Sequence, residues 1–138
     1  MAVGIIYVKM FQDQFSPQAL DAMREKLTRI PFLINRKGCH IWTRSTCRKG
    51  YPRIRITATT LAGRKFSKVV TVARLVCFLR GNGVVLDPRQ QASHMCNERT
   101  CCNIAHLSLE PNATNHQRRR CHLRNRCSNH GNKPNCIF

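Results

Sequence analysis

Negative charge is what this sequence has least of. Six Asp and Glu stand against 24 Lys and Arg, a formal net charge of +18 on 138 residues. Apart from Asp87, no acidic residue occurs between Lys26 and Pro88, and none follows Pro111. A surface so one-sided repels itself unless a polyanion neutralises it, which makes nucleic acid the leading partner class. An acidic membrane or a ribosome would satisfy the same charge, so the balance alone names no chemistry. Long apolar runs are also missing. No stretch approaches the ~20 residues a membrane helix needs, so no membrane association is expected. The short apolar patch near the N-terminus has neither a basic leading region nor a cleavage site, which argues against a secretory signal. No internal repeat or low-complexity linker occurs, and the length suits one compact domain.

Cysteine, in contrast, is plentiful. Nine cysteines are an odd number, poorly suited to full disulfide pairing, and without a secretory signal they read as reduced metal ligands in an intracellular setting, nuclear in a eukaryote. Along the chain, Ser16 and Pro17 form an N-cap and a first helical position, Leu20, Met23, Leu27 and Ile30 recur at helical spacing, and Pro31 ends the pattern. This defines an N-terminal helical segment, residues 1–35, ahead of a zinc-binding domain, residues 36–138. Residues 39–43 are a candidate strand. Residues 53–60 alternate, with Arg53, Arg55 and Thr57 on one face and Ile54 and Ile56 on the other. A turn at 61–64 and a return strand at 65–71 complete an antiparallel ribbon whose polar face would carry Arg53, Arg55, Thr57, Arg64, Lys65 and Lys68. Such a ribbon fits the DNA major groove; a solvated sheet face is the plainer reading. Residues 72–80 read as a short buried helix. The fold class is therefore α+β, with few short helices.

After Gly83 large aliphatic residues thin out, and six of the nine cysteines lie between Cys96 and Cys136. Metal is the substitute for a core that such a segment requires. Cys96, Cys101 and His106 are three of four tetrahedral zinc ligands, the fourth being Cys39 or, second in order, Cys47. Cys102 is set aside because neighbouring residues rarely ligate one ion. Cys121, Cys127, His130 and Cys136 offer a complete set, and closed four-ligand sites of this kind are structural. His94, two residues before Cys96, would share its face on a strand. On spacing alone it is equally a further ligand, a packed core residue or a general base.

The order Ser93, His94, Cys96, Arg99, Cys101, Asn103, His106, Leu107, Asn115 and Cys121 resembles the His-Cys box homing endonucleases, a branch of the ββα-metal, or His-Me finger, nucleases. The resemblance covers roughly residues 39–136 and is strongest from Ser93 to Cys121. It implies a ββα-metal nuclease core that hydrolyses double-stranded DNA to 5′-phosphate and 3′-hydroxyl ends. His94 matches the general base, Asn115 the ligand of a single catalytic Mg2+ for which other divalent ions can substitute, and Arg53, with Arg55 in reserve, the contact to the scissile phosphate. Cys39, Cys96, Cys101 and His106 match the first structural Zn2+ site. Cys121, Cys127, His130 and Cys136 match the second, with slightly wider spacing in its latter half. The family's characterised members dimerise through a C-terminal extension. With two residues after Cys136, a homodimer here is expected to use another interface, such as the 16–30 helix. Two other readings stand beside this one: a DNA-binding module without catalysis, as in the Smad transcription factors thought to share the fold, and a less specific toxin-type nuclease.

Overall fold

A computed structural model describes residues 13–138; residues 1–12 of the N-terminal segment, with their apolar patch, lie outside the described residues. Helix α1 spans Pro17–Thr28. Ser16 Oγ accepts from the Ala19 amide at 3.1 Å, closing one of the amides a helix start leaves unpaired. Leu20 and Met23 are buried, and Leu27 and Ile30 pack at the edge of the same core. Strands β1 (Phe32–Ile34) and β2 (His40–Trp42) form a small hairpin. Its turn is held by the Asn35 carboxamide, whose Oδ1 accepts from the Lys37 and Cys39 amides.

Strands β3 (Arg53–Thr59) and β4 (Lys65–Thr71) form the expected antiparallel ribbon, with Arg53 opposite Thr71 and Thr59 opposite Lys65. Ile54 and Ile56 face inward while Arg53, Arg55 and Thr57 are exposed. The register places Lys68 opposite the buried Ile56, on the face that also carries Phe66 and Val70, where it remains exposed at the margin. Side chains alternate along a strand, so from Lys65 on the outward face the next residues of that face are Ser67, Val69 and Thr71.

Helix α2 (Val72–Arg80) continues from β4 and is buried at Val72, Ala73, Leu75, Cys77, Phe78 and Leu79. Its end bends through Asn82 and Gly83, both at positive φ. The main core gathers Phe15, Leu20 and Met23 with Trp42, the inner ribbon face and α2, so the residues around α1 and the ribbon bury one another. Phe15 meets Phe66 edge-on, ring centroids 5.8 Å apart.

The remainder is a ββα unit. Strand β5 (Gln90–His94) pairs antiparallel with β6 (Leu107–Pro111), and helix α3 (Asn112–Arg124) follows directly. A 3-10 turn at Ile104–His106 precedes β6. Helix α3 buries only Arg118 and Cys121. A helix this polar has no apolar stripe to hold it, so its attachment must come from charge and metal. The chain is thus a small zinc-stabilised α+β domain. Among the described residues no helix is long and apolar enough to cross a membrane.

Candidate functional site

Two groups of metal-binding side chains hold the second half of the chain together. Cys39, immediately before β2, meets Cys96, Cys101 and His106, all four buried, with ligand atoms within 4.8 Å of one another. Cys39 Sγ and Cys101 Sγ stand 3.5 and 3.6 Å from His106 Nδ1. Zn–S and Zn–N bonds of about 2.3 and 2.0–2.1 Å at a tetrahedral angle predict an S···N edge of about 3.6 Å, so the cage fits zinc. Cys47 and Cys102 belong to neither group. The thiols share protons: Cys101 is held down to about 5, chiefly by the hydrogen bond from Cys96, while that bond and burial push Cys96 up. Three buried thiolates require a cation to coexist, and a dication supplies it.

The second group, Cys121, Cys127, His130 and Cys136, has the same dimensions. His130 Nε2 lies 3.7 Å from Cys121 Sγ and 3.4 Å from Cys136 Sγ. Its other nitrogen, Nδ1, reaches Gln117 Oε1 at 3.3 Å, which sets the tautomer that leaves Nε2 free for metal. Burial raises the Cys121 thiol, but hydrogen bonds from the Ser128 hydroxyl and amide and from Cys136 and Cys127 outweigh it and bring it to about 7. Burial pushes Cys136 up to about 12. With four protein ligands each, both groups are closed and fit structural zinc.

An ion pair ties the second cage to the ββα unit. Arg118 bonds Glu110 through both Nε and Nη2, at 2.5 and 2.9 Å, with the two residues 2% and 0% exposed. Arg118 Nη1 donates to Cys136 Sγ at 3.6 Å. Burial would raise the Glu110 carboxyl, but Arg118 prevails and holds it below the usual range. Helix α3 is therefore attached by Cys121 and by this pair.

His94 ends β5, so Cys96 sits in the turn beyond, and the strand alternation expected to link the two does not apply. The ring is instead fixed by Nε2, 3.1 Å from the Cys101 carbonyl oxygen. A carbonyl only accepts, so Nε2 carries the proton and Nδ1 is the basic nitrogen. Burial lowers the His94 pKa, against the opposing charges of Cys101 and Glu98, and the imidazole is neutral at pH 7. The Met95 carbonyl next to it accepts from His122 Nε2 and from the Ile137 amide, both at 2.8 Å, so α3 and the C-terminal residues pin the His94 turn.

His94 opens on a cleft of about 300 Å³ that Asn115, Tyr51, Arg99 and Arg119 also line. A second, wider cleft of about 520 Å³ shares Tyr51, His94, Asn115 and Arg119 and adds Lys49. Asn115 Nδ2 donates to Gln91 Oε1 at 3.0 Å, which leaves the hard carbonyl oxygen of the amide for a cation such as Mg2+. No acidic residue lines either cleft.

The structure thus brings His94 and Asn115 together and places Arg53 elsewhere. Arg53 lines neither cleft, and its Nε donates to Ser45 Oγ at 3.1 Å. Arg55 reaches Ser67 Oγ at 3.4 Å, and Thr57 lies 3.2 Å from the same oxygen. Arg64 lies in the connecting turn and Lys65 begins β4. Sequence reasoning missed Tyr51, Arg99 and Arg119 in the cleft, and the Glu110–Arg118 pair beneath it. Two of them carried a signal: Arg99 stood in the family order with no role assigned, and Arg119 lies four residues beyond Asn115 on one helix face. The family described as the zinc-binding loop region of homing endonuclease matches residues 37–137. No curated protein and no solved structure matches significantly.

Proposed function

The chain belongs to the His-Cys box homing endonuclease family, and from that premise we propose that it is a divalent-metal-dependent endonuclease cutting double-stranded DNA at the cleft shared by His94 and Asn115. The observation that carries this reading is the pairing, on one cleft, of a neutral histidine with Nδ1 as its base and an asparagine carbonyl left open by Gln91.

Hydrolysis needs a nucleophile, a neutralised phosphate and a protonated leaving oxygen. His94 Nδ1 takes a proton from water, the water oxygen bonds to phosphorus, and the bond from phosphorus to the 3′ oxygen breaks with its electron pair on that oxygen. A proton from solvent then completes the 3′-hydroxyl, and the 5′ side keeps the phosphate. Mg2+, when bound to Asn115 Oδ1, phosphate oxygens and water, would offset the charge on the departing oxygen. The clefts offer no carboxylate, so Asn115 Oδ1 is the side-chain oxygen that would hold the ion. The zincs do no chemistry; they hold the His94 turn and α3 still on either side of the phosphate. Arg53, Arg55, Thr57 and Lys65 on the ribbon would contact the duplex, with Arg64 and Lys68 at its margins. Among the described residues there is one such site, so cutting both strands takes a second copy or a second visit. An intracellular setting, nuclear in a eukaryote, suits thiols that must stay reduced to hold zinc.

Supercoiled plasmid incubated with the zinc-loaded protein and Mg2+ tests the reading. His94→Ala and Asn115→Ala should each slow cutting by roughly 10²–10⁴-fold while DNA binding persists. Wild type that binds DNA but cuts no faster than the variants would instead make this a binding module.

A further inference from the structure

We infer that Arg119 is the cation that pairs with the phosphate being cut, a role that rests on the nuclease reading above and that the ribbon arginines leave open. Placement is the first ground. Asn115 and Arg119 lie four residues apart on α3, one turn along the same face. Both line each of the two clefts that His94 shares, whereas Arg53 and Arg55 line neither.

Availability is the second ground. Of the other arginines around these clefts, Arg118 and Arg74 are committed to the fold, and Arg99, though exposed, is tied to the Lys49 backbone. Arg118 is buried and engaged by Glu110 and Cys136. Arg99 donates from Nη1 to the Lys49 carbonyl at 2.8 Å and lies over the Tyr51 ring. Arg74 donates to the backbone of Gln90 and Asp87. Arg119 is exposed, and no hydrogen bond or ion pair engages it among the described residues.

Charge is the third. Arg118 is neutralised by Glu110, and no carboxylate lines the clefts. An entering phosphate therefore meets an unpaired guanidinium with no competing anion. A guanidinium fork spans two non-bridging phosphate oxygens, and its attraction grows as charge builds on them during attack by water. Arg119 transfers no proton and forms no covalent bond. His94 Nδ1 still receives the water's proton and the 3′ oxygen still departs with the electron pair. Fixed on the same helix face as Asn115, Arg119 holds the phosphate in register with the residue that recruits the metal.

The test uses the full zinc-loaded chain on a DNA duplex with Mg2+, reading the single-turnover cleavage rate of bound DNA separately from the dissociation constant. Arg119→Ala should lower the rate by roughly 10²–10³-fold, with zinc content and melting temperature unchanged because no hydrogen bond or ion pair engages Arg119 among the described residues. Arg119→Lys should recover part of the loss, and added guanidinium ion should rescue Arg119→Ala, a response a merely structural residue would not give. Arg120→Ala, one position off the cleft face, removes the same charge from α3 and should cut at the wild-type rate. If wild type cuts and Arg119→Ala cuts bound DNA equally fast, this role is overturned while the nuclease reading stands. If wild type cuts nothing, the nuclease reading falls and this role with it.

Discussion

Arg118→Ala should be among the most damaging single substitutions in this chain, and its two consequences can be separated. Arg118 is 2% exposed and Glu110 fully buried, so deleting the guanidinium leaves a carboxylate with no cation in a site water does not reach. Breaking a buried pair in this way costs about 3–5 kcal/mol, against a total stability of about 5–15 kcal/mol for a domain of this kind. The loss also removes the donor to Cys136 Sγ, and losing such a support for a ligand lowers metal affinity by about 10–100-fold. The double variant Glu110→Leu/Arg118→Met distinguishes the effects. Filling the site with apolar volume should return stability to near the wild-type value, while zinc affinity at the second cage stays reduced because the Cys136 contact is still missing. Trp42, the single tryptophan and part of the core, reports unfolding in a urea titration, and a zinc-binding dye follows metal loss. If Arg118→Ala lies within 1 kcal/mol of wild type, the pair is solvated in solution and the attachment of α3 proposed from it is wrong.

Further outcomes follow from the cages, one turn and the base. Metal analysis should find two zincs per chain, falling to one in Cys39→Ser or Cys136→Ser and staying at two in Cys47→Ser and Cys102→Ser, since the latter pair lies outside both groups. Gly83→Ala should destabilise the fold by about 1–3 kcal/mol in thermal melts, because a Cβ there would sit 2.9 Å from Leu20 Cδ1 at φ +79; unchanged melting would show that Leu20 can move aside. His94 accepts a proton only when neutral and burial lowers its pKa, so cleavage should rise with pH through a midpoint below 6.5 and level off at neutral pH. A midpoint above 6.5 would contradict the burial argument.

How much was legible depended on the range over which each feature is encoded. The second cage sits within residues 121–136, so its four ligands could be read together from spacing. The first needed Cys39 from far upstream, and spacing alone left Cys47 in contention until β2 was seen to deliver Cys39 against His106. The ribbon strands were legible from alternation. The face of Lys68 was not read correctly, although the same alternation sets it with Phe66 and Val70 and away from Lys65, and the pairing with β3 then runs it opposite Ile56.

The sequence by itself pointed to a polyanion as partner, through its charge, and to structural zinc, through soft ligands concentrated where large aliphatic residues run out. It also determined the helix starts and strand alternation, since caps and periodicity are local properties. Only the tertiary structure decided which groups share the cleft. Arg118 and Arg119 are adjacent, chemically identical and both border the first cleft, yet one is buried and paired with Glu110 while the other stays exposed. A residue's neighbours along the chain set its conformation. Its chemical role follows from what a turn of helix and the packing of other elements bring to it in space, and no local pattern separates two arginines that differ only by the ~100° of rotation between successive helix positions.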